Sequence, residues 1–219
     1  MQVQNSGSTL FDYIGNRGKA DSALEQSIAS QGYNLAGEIR GVQSSLATGK
    51  VDDALARLQA GENGLNLQTL DNMLNFNLRP VAEDLTQTAQ DLGLHLDVQI
   101  KQKDDKWQVV SAQDPQPKGL QQLQSYLDRN QGLQNKLNNL NSLSEFYELG
   151  QSQEHAKALQ AADVHEDDVV TYLTQSREYL FGLDSFYLSD KGLSIASRGE
   201  SEGLFTQVKE TLGLSEAKT

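Results

Sequence analysis

The stretch LHLDVQIKQKDDKWQVVS, residues 94–111, carries the clearest β signal in the chain. Its first half alternates strictly between apolar and polar side chains, which is the period of a strand with one buried face. An Asp-Asp pair marks a turn, and Trp107 opens a returning strand. An isolated hairpin is marginal in water, so this one needs further elements beneath it. We place Trp107 in that core because tryptophan is highly buried on average; the alternative is an exposed binding patch.

Helical periodicity dominates on both sides of this hairpin, with apolar residues recurring at steps of three and four. Pro80 interrupts one such run, where we expect a kink or a restarted helix. The helix over 119–149 is predicted to bury its leucines and to carry Asn, Gln and Ser on the opposite face. The predicted helical stretches are 21–46 with a break near 32–33, 48–64 with glycines marking both ends, 65–93 on both sides of Pro80, 119–149 with a gap near 131–132, 153–164, 166–181 and 200–214.

A second hairpin is predicted in LDSFYLSDKGLSIASRG, residues 183–199, where the glycine after Asp-Lys supplies the positive φ of a short loop. The two hairpins either join in one four-stranded sheet or belong to two small domains, and the sequence leaves both open. The expected fold is mostly helical α+β: a helix bundle with one or two antiparallel β-hairpins. We expect residues 1–18 to be loosely ordered and 19–219 to form one domain, with a sub-boundary near 112–118.

Composition argues against several classes of function. The net charge of −12 and the pI of about 4.6 disfavour nucleic-acid binding, which needs clustered Lys and Arg. The absence of cysteine excludes disulfides, thiolate catalysis and cysteine-ligated metals. No apolar run approaches the roughly 18 residues of a membrane span, so membrane insertion is not expected. The first residues lack the pattern of a cleaved secretory signal.

The octapeptide DVHEDDVV, residues 163–170, packs a histidine and four carboxylates together. His165 and Asp168 are three residues apart and could face the same way, but two ligands do not make a metal site. An acid/base pair needs carboxyl groups that face each other across a cleft. We therefore interpret the stretch as a helix start, with Asp163 or His165 as the cap and the acidic residues in the first turn, near the positive end of the helix dipole.

The remaining candidate groups are isolated in the sequence. His95 lies on the polar face of the first strand, where a general base is the alternative to an exposed imidazole. His155 lies beside Glu154 in a polar helix. Arg198 follows the second hairpin and could contribute to a phosphate cradle, although a turn followed by a helix start explains the stretch better. None of the common catalytic or nucleotide-binding motifs occurs, so we assign no catalytic, cofactor-binding or metal-binding residue.

Two classes of function remain after these exclusions. The first, which we favour, is a non-enzymatic interaction or structural protein whose partner is another protein. Its candidate roles are a bacterial accessory or effector protein exported without a cleaved signal, or a cytosolic adaptor; a cytoplasmic location is favoured. The alternative is a hydrolase whose site is assembled from dispersed His, Ser and carboxylate groups. A cleft joining His95 or His165 to a serine and a carboxylate would favour the hydrolase.

Overall fold

The structure of the protein is a computed structural model that describes residues 34–46, 48–94, 98–104, 106–111 and 118–214. Within these residues the fold is mostly helical α+β, as the sequence predicts. The expectations for residues 1–18, for the helix start near Asp21 and for His95 fall outside them.

Seven helices and four strands occur in the described residues. None of these helices combines the length and the apolar character needed to cross a membrane. The helices are α1 within residues 34–46, α2 Val51–Ala60, α3 Leu67–Asp91, α4 Lys118–Arg129, α5 Gln131–Ala161, α6 Glu166–Leu180 and α7 Glu200–Thr211. The strands are β1 Val98–Lys103, β2 Lys106–Ser111, β3 Ser185–Ser189 and β4 Gly192–Ile195.

The two hairpins join in one antiparallel sheet with the order β2-β1-β3-β4. The central pairing, β1 with β3, sets Ile100 opposite Phe186. Every second residue of each strand faces the helices, and this inner face forms part of the main core with Trp107 only 3% exposed. The prediction that Trp107 lies in the core is thus confirmed. Gly192 closes the second hairpin with φ at 107°, which a side chain rarely tolerates.

Helix α3 runs through Pro80 without restarting, so of the two predicted alternatives, a kink or a restarted helix, the restart was wrong. Proline removes one helical hydrogen bond, here the one to the carbonyl of Phe76. Both residues lie on the solvent side of α3, and Phe76 is 80% exposed. Water can therefore replace the missing donor, while Val81 and Leu85 remain packed in the core.

Helix α5 is one helix of 31 residues, so the separate short helix predicted over 153–164 is wrong. We expected an interruption before that range, but Gly150 lies inside the helix. A Cβ atom at this position would come within 2.7 Å of Leu58 and 2.8 Å of Leu67. This glycine therefore allows α2 and α3 to approach α5 closely, and it does not end the helix.

Gly119 and Gly150 offer a matched test of close packing, because both lie in helices. A Cβ at Gly119 would meet the backbone carbonyl of Leu92 at 2.6 Å, whereas the atoms near Gly150 are ends of leucine side chains. We expect Gly119→Ala to lower the free energy of unfolding by about 2 kcal/mol, since overpacking against backbone cannot relax easily. Gly150→Ala should change the free energy of unfolding by less than about 1 kcal/mol. The higher helix propensity of alanine offsets the cost of displacing the ends of the Leu58 and Leu67 side chains. Urea titration of both variants measures the difference, and equal losses would contradict this account.

The core is divided into a larger and a smaller cluster. The larger cluster lies among α1 to α5 and the inner face of the sheet. The smaller one joins the C-terminal part of α5 to α6 and α7, around Ala156, Leu159, Val169 and Tyr172. Helix α5 takes part in both clusters. Its polar side chains meet Asp184 just before β3 and Ser197 between β4 and α7.

Candidate functional site

A stripe of polar side chains runs along α5, and it is largely buried. We expected these amides and hydroxyls on a solvated face, and for this part of the helix that was wrong. Asn141, Glu145, Glu148 and Ser152 are each at most 5% exposed. Asp184, just before β3, bonds to Asn141, and Gly199, just before α7, bonds to Glu148. The members follow one another at steps of three and four residues: Asn138, Asn141, Glu145, Glu148, Ser152 and His155.

Glu148 caps the N-terminus of α7 although it belongs to α5. Its Oε1 accepts the N–H of Gly199 at 2.9 Å, and its Oε2 accepts the N–H of Ser201 at 3.2 Å. The hydroxyl of Ser201 donates to the same Oε2. A carboxylate at this place satisfies N–H groups that have no partner within the helix and lies at the positive end of its dipole. Glu148 thereby fixes α7 against α5.

Arg198 links three elements next to this cap. One guanidinium nitrogen lies 3.5 Å from Glu148 Oε1, and another donates to the carboxylate of Asp71 on α3. The guanidinium also lies 4.3 Å from the centre of the Tyr147 ring, in cation–π geometry. Two carboxylates therefore pair with Arg198, the residue that we considered as part of a phosphate-binding site.

His155 ends the stripe and has partners on both ring nitrogens. Nδ1 shares a hydrogen bond of 3.1 Å with the Tyr172 hydroxyl, and Nε2 lies 3.2 Å from a Glu202 carboxylate oxygen. The ring stacks on Phe205 at 4.3 Å between centroids. Burial lowers the pKa of His155, against the opposing charges of Glu202 and Glu148. The imidazole thus joins α5 to α6 and α7.

These groups line an open cleft of about 350 Å³ between α5 and the start of α7. The cleft contains a histidine, a serine and two carboxylates, which are the ingredients of a hydrolytic site. A nucleophile must, however, be hydrogen-bonded to its base. The Ser201 hydroxyl donates to Glu148, and both nitrogens of His155 are bonded elsewhere. The cleft therefore lacks an assembled serine–histidine pair.

A second buried cluster lies nearer the sheet. The Asn141 amide donates to Glu145 Oε1 and to Asp184 Oδ1, each at 2.7 Å. Burial, reinforced by the charge of Asp184, raises the pKa of Glu145 to about 8. The Asp184 backbone carbonyl also accepts the N–H of Gln102 on β1 at 2.9 Å. This cluster ties the start of β3 to α5 and to β1.

The stretch 163–170 begins a helix, as predicted. His165 is the N-cap of α6, and its Nδ1 accepts the N–H of Asp167 at 3.3 Å. The acidic residues that follow occupy the first turn. Asp163 has a positive φ of 56° in the turn after α5 and does not cap α6. Across the described part of the chain, no three His, Asp or Glu side chains are grouped to hold a metal ion.

Gln124 on α4 covers part of the exposed edge of β2. Its amide oxygen accepts the N–H of Val109 at 2.7 Å, and its amide nitrogen donates to the carbonyl of Trp107 at 3.0 Å. The side chain thus stands where the peptide unit of a neighbouring strand would lie. Such cover protects a sheet edge from pairing with other chains.

We expect Gln124→Ala to lower the free energy of unfolding by about 1–2 kcal/mol, because two half-buried backbone groups lose their partners. Gln121→Ala is the control, since Gln121 lies on the same helix with an exposed side chain. Guanidinium titration gives the stability, and sedimentation at increasing concentration reports any pairing through the opened edge. Equal stability of the two variants would show that the edge does not need this cover.

No protein-family model matches the chain, and no curated protein or solved structure is significantly similar to it. The function must therefore be argued from the geometry of the chain itself.

Proposed function

We propose that the chain is a non-enzymatic interaction protein. The supporting observation is the state of the polar groups in the cleft between α5 and α7. Glu148 caps a helix, Arg198 is engaged by two carboxylates, and His155 is bonded on both nitrogens. Groups used in this way hold elements together, and they would have to leave their partners to take part in chemistry.

The exposed aromatic side chains support the same proposal. Tyr187 is 50% exposed on the outer face of the sheet, and Tyr179 is 44% exposed on α6. The hydroxyl of Tyr179 donates to Glu200, which raises the pKa of Tyr179; the Tyr187 phenol lies close enough to add a smaller contribution. Tyrosine is enriched at protein interfaces because it offers a large rigid apolar surface with a polar tip.

The alternative is a hydrolase that uses the cleft, favoured by the presence of His155, Ser201 and Glu202 in one hollow. Labelling with a fluorophosphonate probe separates the two proposals, because such probes modify activated serines. An interaction protein should remain unlabelled. Labelling that disappears in Ser201→Ala, but persists in the matched variant Ser125→Ala on the exposed face of α4, would support the hydrolase.

The interaction itself is tested in the cell that makes the protein. The tagged chain is crosslinked and recovered separately from cells and from the culture supernatant, which also distinguishes an adaptor from an exported accessory or effector protein. We expect one enriched partner whose yield falls in Tyr187→Ser and not in Phe76→Ser, a second exposed aromatic on a different element. The same proteins recovered at equal yield with both variants and with an unrelated tagged protein would contradict the proposal.

A further inference from the structure

The outer face of the sheet differs in charge from the rest of the chain. Cross-strand pairing places one row of Val110, Gln99, Tyr187 and Ser194 across all four strands. Beside this row lie Lys101 and then the facing pair Lys103 and Lys106. The outward positions of the four strands thus carry three lysines and no carboxylate, in a chain whose net charge is −12.

None of these lysines takes part in an ion pair within the described part of the chain, where Asp104 of the hairpin turn is the sequence neighbour of Lys103. All three side chains are exposed, and no ion pair connects them to a described carboxylate. Lys103 and Lys106 stand directly opposite each other on the sheet. Like charges in such a cross-strand pair destabilise it, and an anionic partner would relieve this repulsion.

The apolar part of the face lies next to the charged part. Tyr187 is the neighbour of Gln99 across β1 and β3, and Gln99 is two residues from Lys101 on β1. Val110 on β2 is half-buried in the same row. An occupant of this surface therefore meets a tyrosine ring, a methyl surface, amide and hydroxyl groups, and ammonium groups along one side.

We infer that the outer face of the sheet is a docking surface for an acidic polypeptide that also carries apolar side chains, an assignment that rests on the proposed interaction function. The lysines pair with carboxylates, and Tyr187 and Val110 cover the apolar groups. Charge complementarity then selects the partner, and the aromatic contact adds affinity that does not depend on charge.

Nucleic acid fits this surface less well than a polypeptide does. Duplex DNA carries one charge per about 1.7 Å of its axis, and its binders use long basic stripes rich in arginine. The outward positions of the strands hold three lysines and no arginine. A polypeptide with a few spaced carboxylates pairs with the three ammonium groups. It does not place the dense negative charge of a nucleic acid next to the acidic rest of the molecule.

Binding is measured with the full chain and a fluorescent random copolymer of glutamate and tyrosine, with polyglutamate, a single-stranded oligonucleotide and anionic phospholipid vesicles as the comparison probes. We expect the copolymer to bind more tightly than the other three. Raising the ionic strength from about 50 to about 300 mM should weaken this binding roughly tenfold. Tighter binding of the oligonucleotide or of the vesicles would overturn the assignment of a polypeptide.

The double variant Lys101→Glu/Lys103→Glu should weaken copolymer binding about tenfold or more, and Tyr187→Ser should weaken it about fivefold. The control is Lys50→Glu/Lys136→Glu, which makes the same change in net charge at exposed lysines outside the sheet. We expect that control to bind within about twofold of the parent chain. Equal losses in the two double variants would overturn the inference, because net charge alone would then explain binding. The uncharged substitution Tyr187→Ser provides a test that does not alter the charge.

The cellular crosslinking experiment keeps the two proposals distinguishable. If a partner depends on Tyr187 in the cell but the copolymer does not bind, the acidic chemistry is wrong and the interaction function stands. If the copolymer binds through the lysines but no cellular protein is enriched over the unrelated tagged protein, the surface has affinity for acidic chains, and the proposed function is contradicted.

Discussion

Replacing Glu148 with alanine should lower the free energy of unfolding by about 3 kcal/mol or more. The change removes the acceptor of the Gly199 and Ser201 N–H groups and leaves them unsatisfied at the start of α7. It also removes one of the two carboxylates that engage Arg198. Helix α7 covers the smaller core cluster, so its release should expose Tyr172 and the neighbouring apolar residues as well.

Glu154→Ala is the matched control for Glu148→Ala. Glu154 lies on the same helix, but its side chain is about half exposed and, among the described residues, forms an ion pair with Lys157 alone. An exposed pair of this kind contributes about 0.5 kcal/mol or less. Glu148→Gln should fall between the two, because an amide oxygen can still accept a hydrogen bond without the charge. Urea titration measures all three variants, and similar losses for Glu148→Ala and Glu154→Ala would show that the cap does not stabilise α7.

The second large effect is a loss of stability with rising pH that depends on Glu145. The pKa of this carboxyl is raised from 4.5 to about 8 by burial and by the charge of Asp184. The folded state therefore holds a proton that the unfolded state has already lost. Stability from this group is fully present below pH 4.5 and is lost as the pH rises through about 8. The total loss is on the order of 5 kcal/mol, at about 1.36 kcal/mol for each unit of pKa.

Glu145→Gln should abolish this pH dependence, because the amide cannot ionise and retains an oxygen for the Asn141 donor. At pH 9 the variant should therefore be more stable than the parent chain, a gain that few substitutions of buried groups give. The quantity to measure is the difference in stability between variant and parent from pH 4 to 9. His155 titrates in both proteins, so its contribution cancels in that difference. A difference that stays constant with pH would show that Glu145 is ionised throughout.

Local signals in the sequence predicted the local structure well. The strict alternation of residues 98–101 and the glycine at 192 identified both hairpins, because strand period and turn chemistry are properties of neighbouring residues. The start of α6 was likewise predicted, since a cap followed by acidic residues describes a helix terminus without reference to the rest of the fold.

The arrangement of these elements could not be predicted from local patterns. Nothing near Val98 in the sequence indicates that β1 pairs with β3, so the single sheet remained one of two alternatives. Pro80 suggested a kink or a restart, and residues 153–164 suggested a separate helix, but the effect of Pro80 and Gly150 depends on whether solvent or a neighbouring helix faces them. Tertiary surroundings therefore decided between two interpretations that were equally consistent with the local sequence.

The candidate site was missed because its residues were interpreted one at a time. His155 and Glu148 belong to a polar series at steps of three and four along α5, and this spacing is visible in the sequence. Residues at these steps lie on one face of a helix, whether they are polar side chains or leucines. The series alone would not have shown that the face is buried, since an exposed helix face has the same period.

The pairing of β1 with β3 also has a consequence for how the protein is made. About eighty residues separate the two strands, so a ribosome that adds roughly 5–20 residues per second completes β1 several seconds before β3 exists. Until then the β1 edge of the first hairpin is open, although Gln124 on α4 is already available to cover the β2 edge, and the apolar side has no second hairpin beside it. The lysines near its tip carry the kind of charge that hinders edge-to-edge association between newly synthesised chains during this interval.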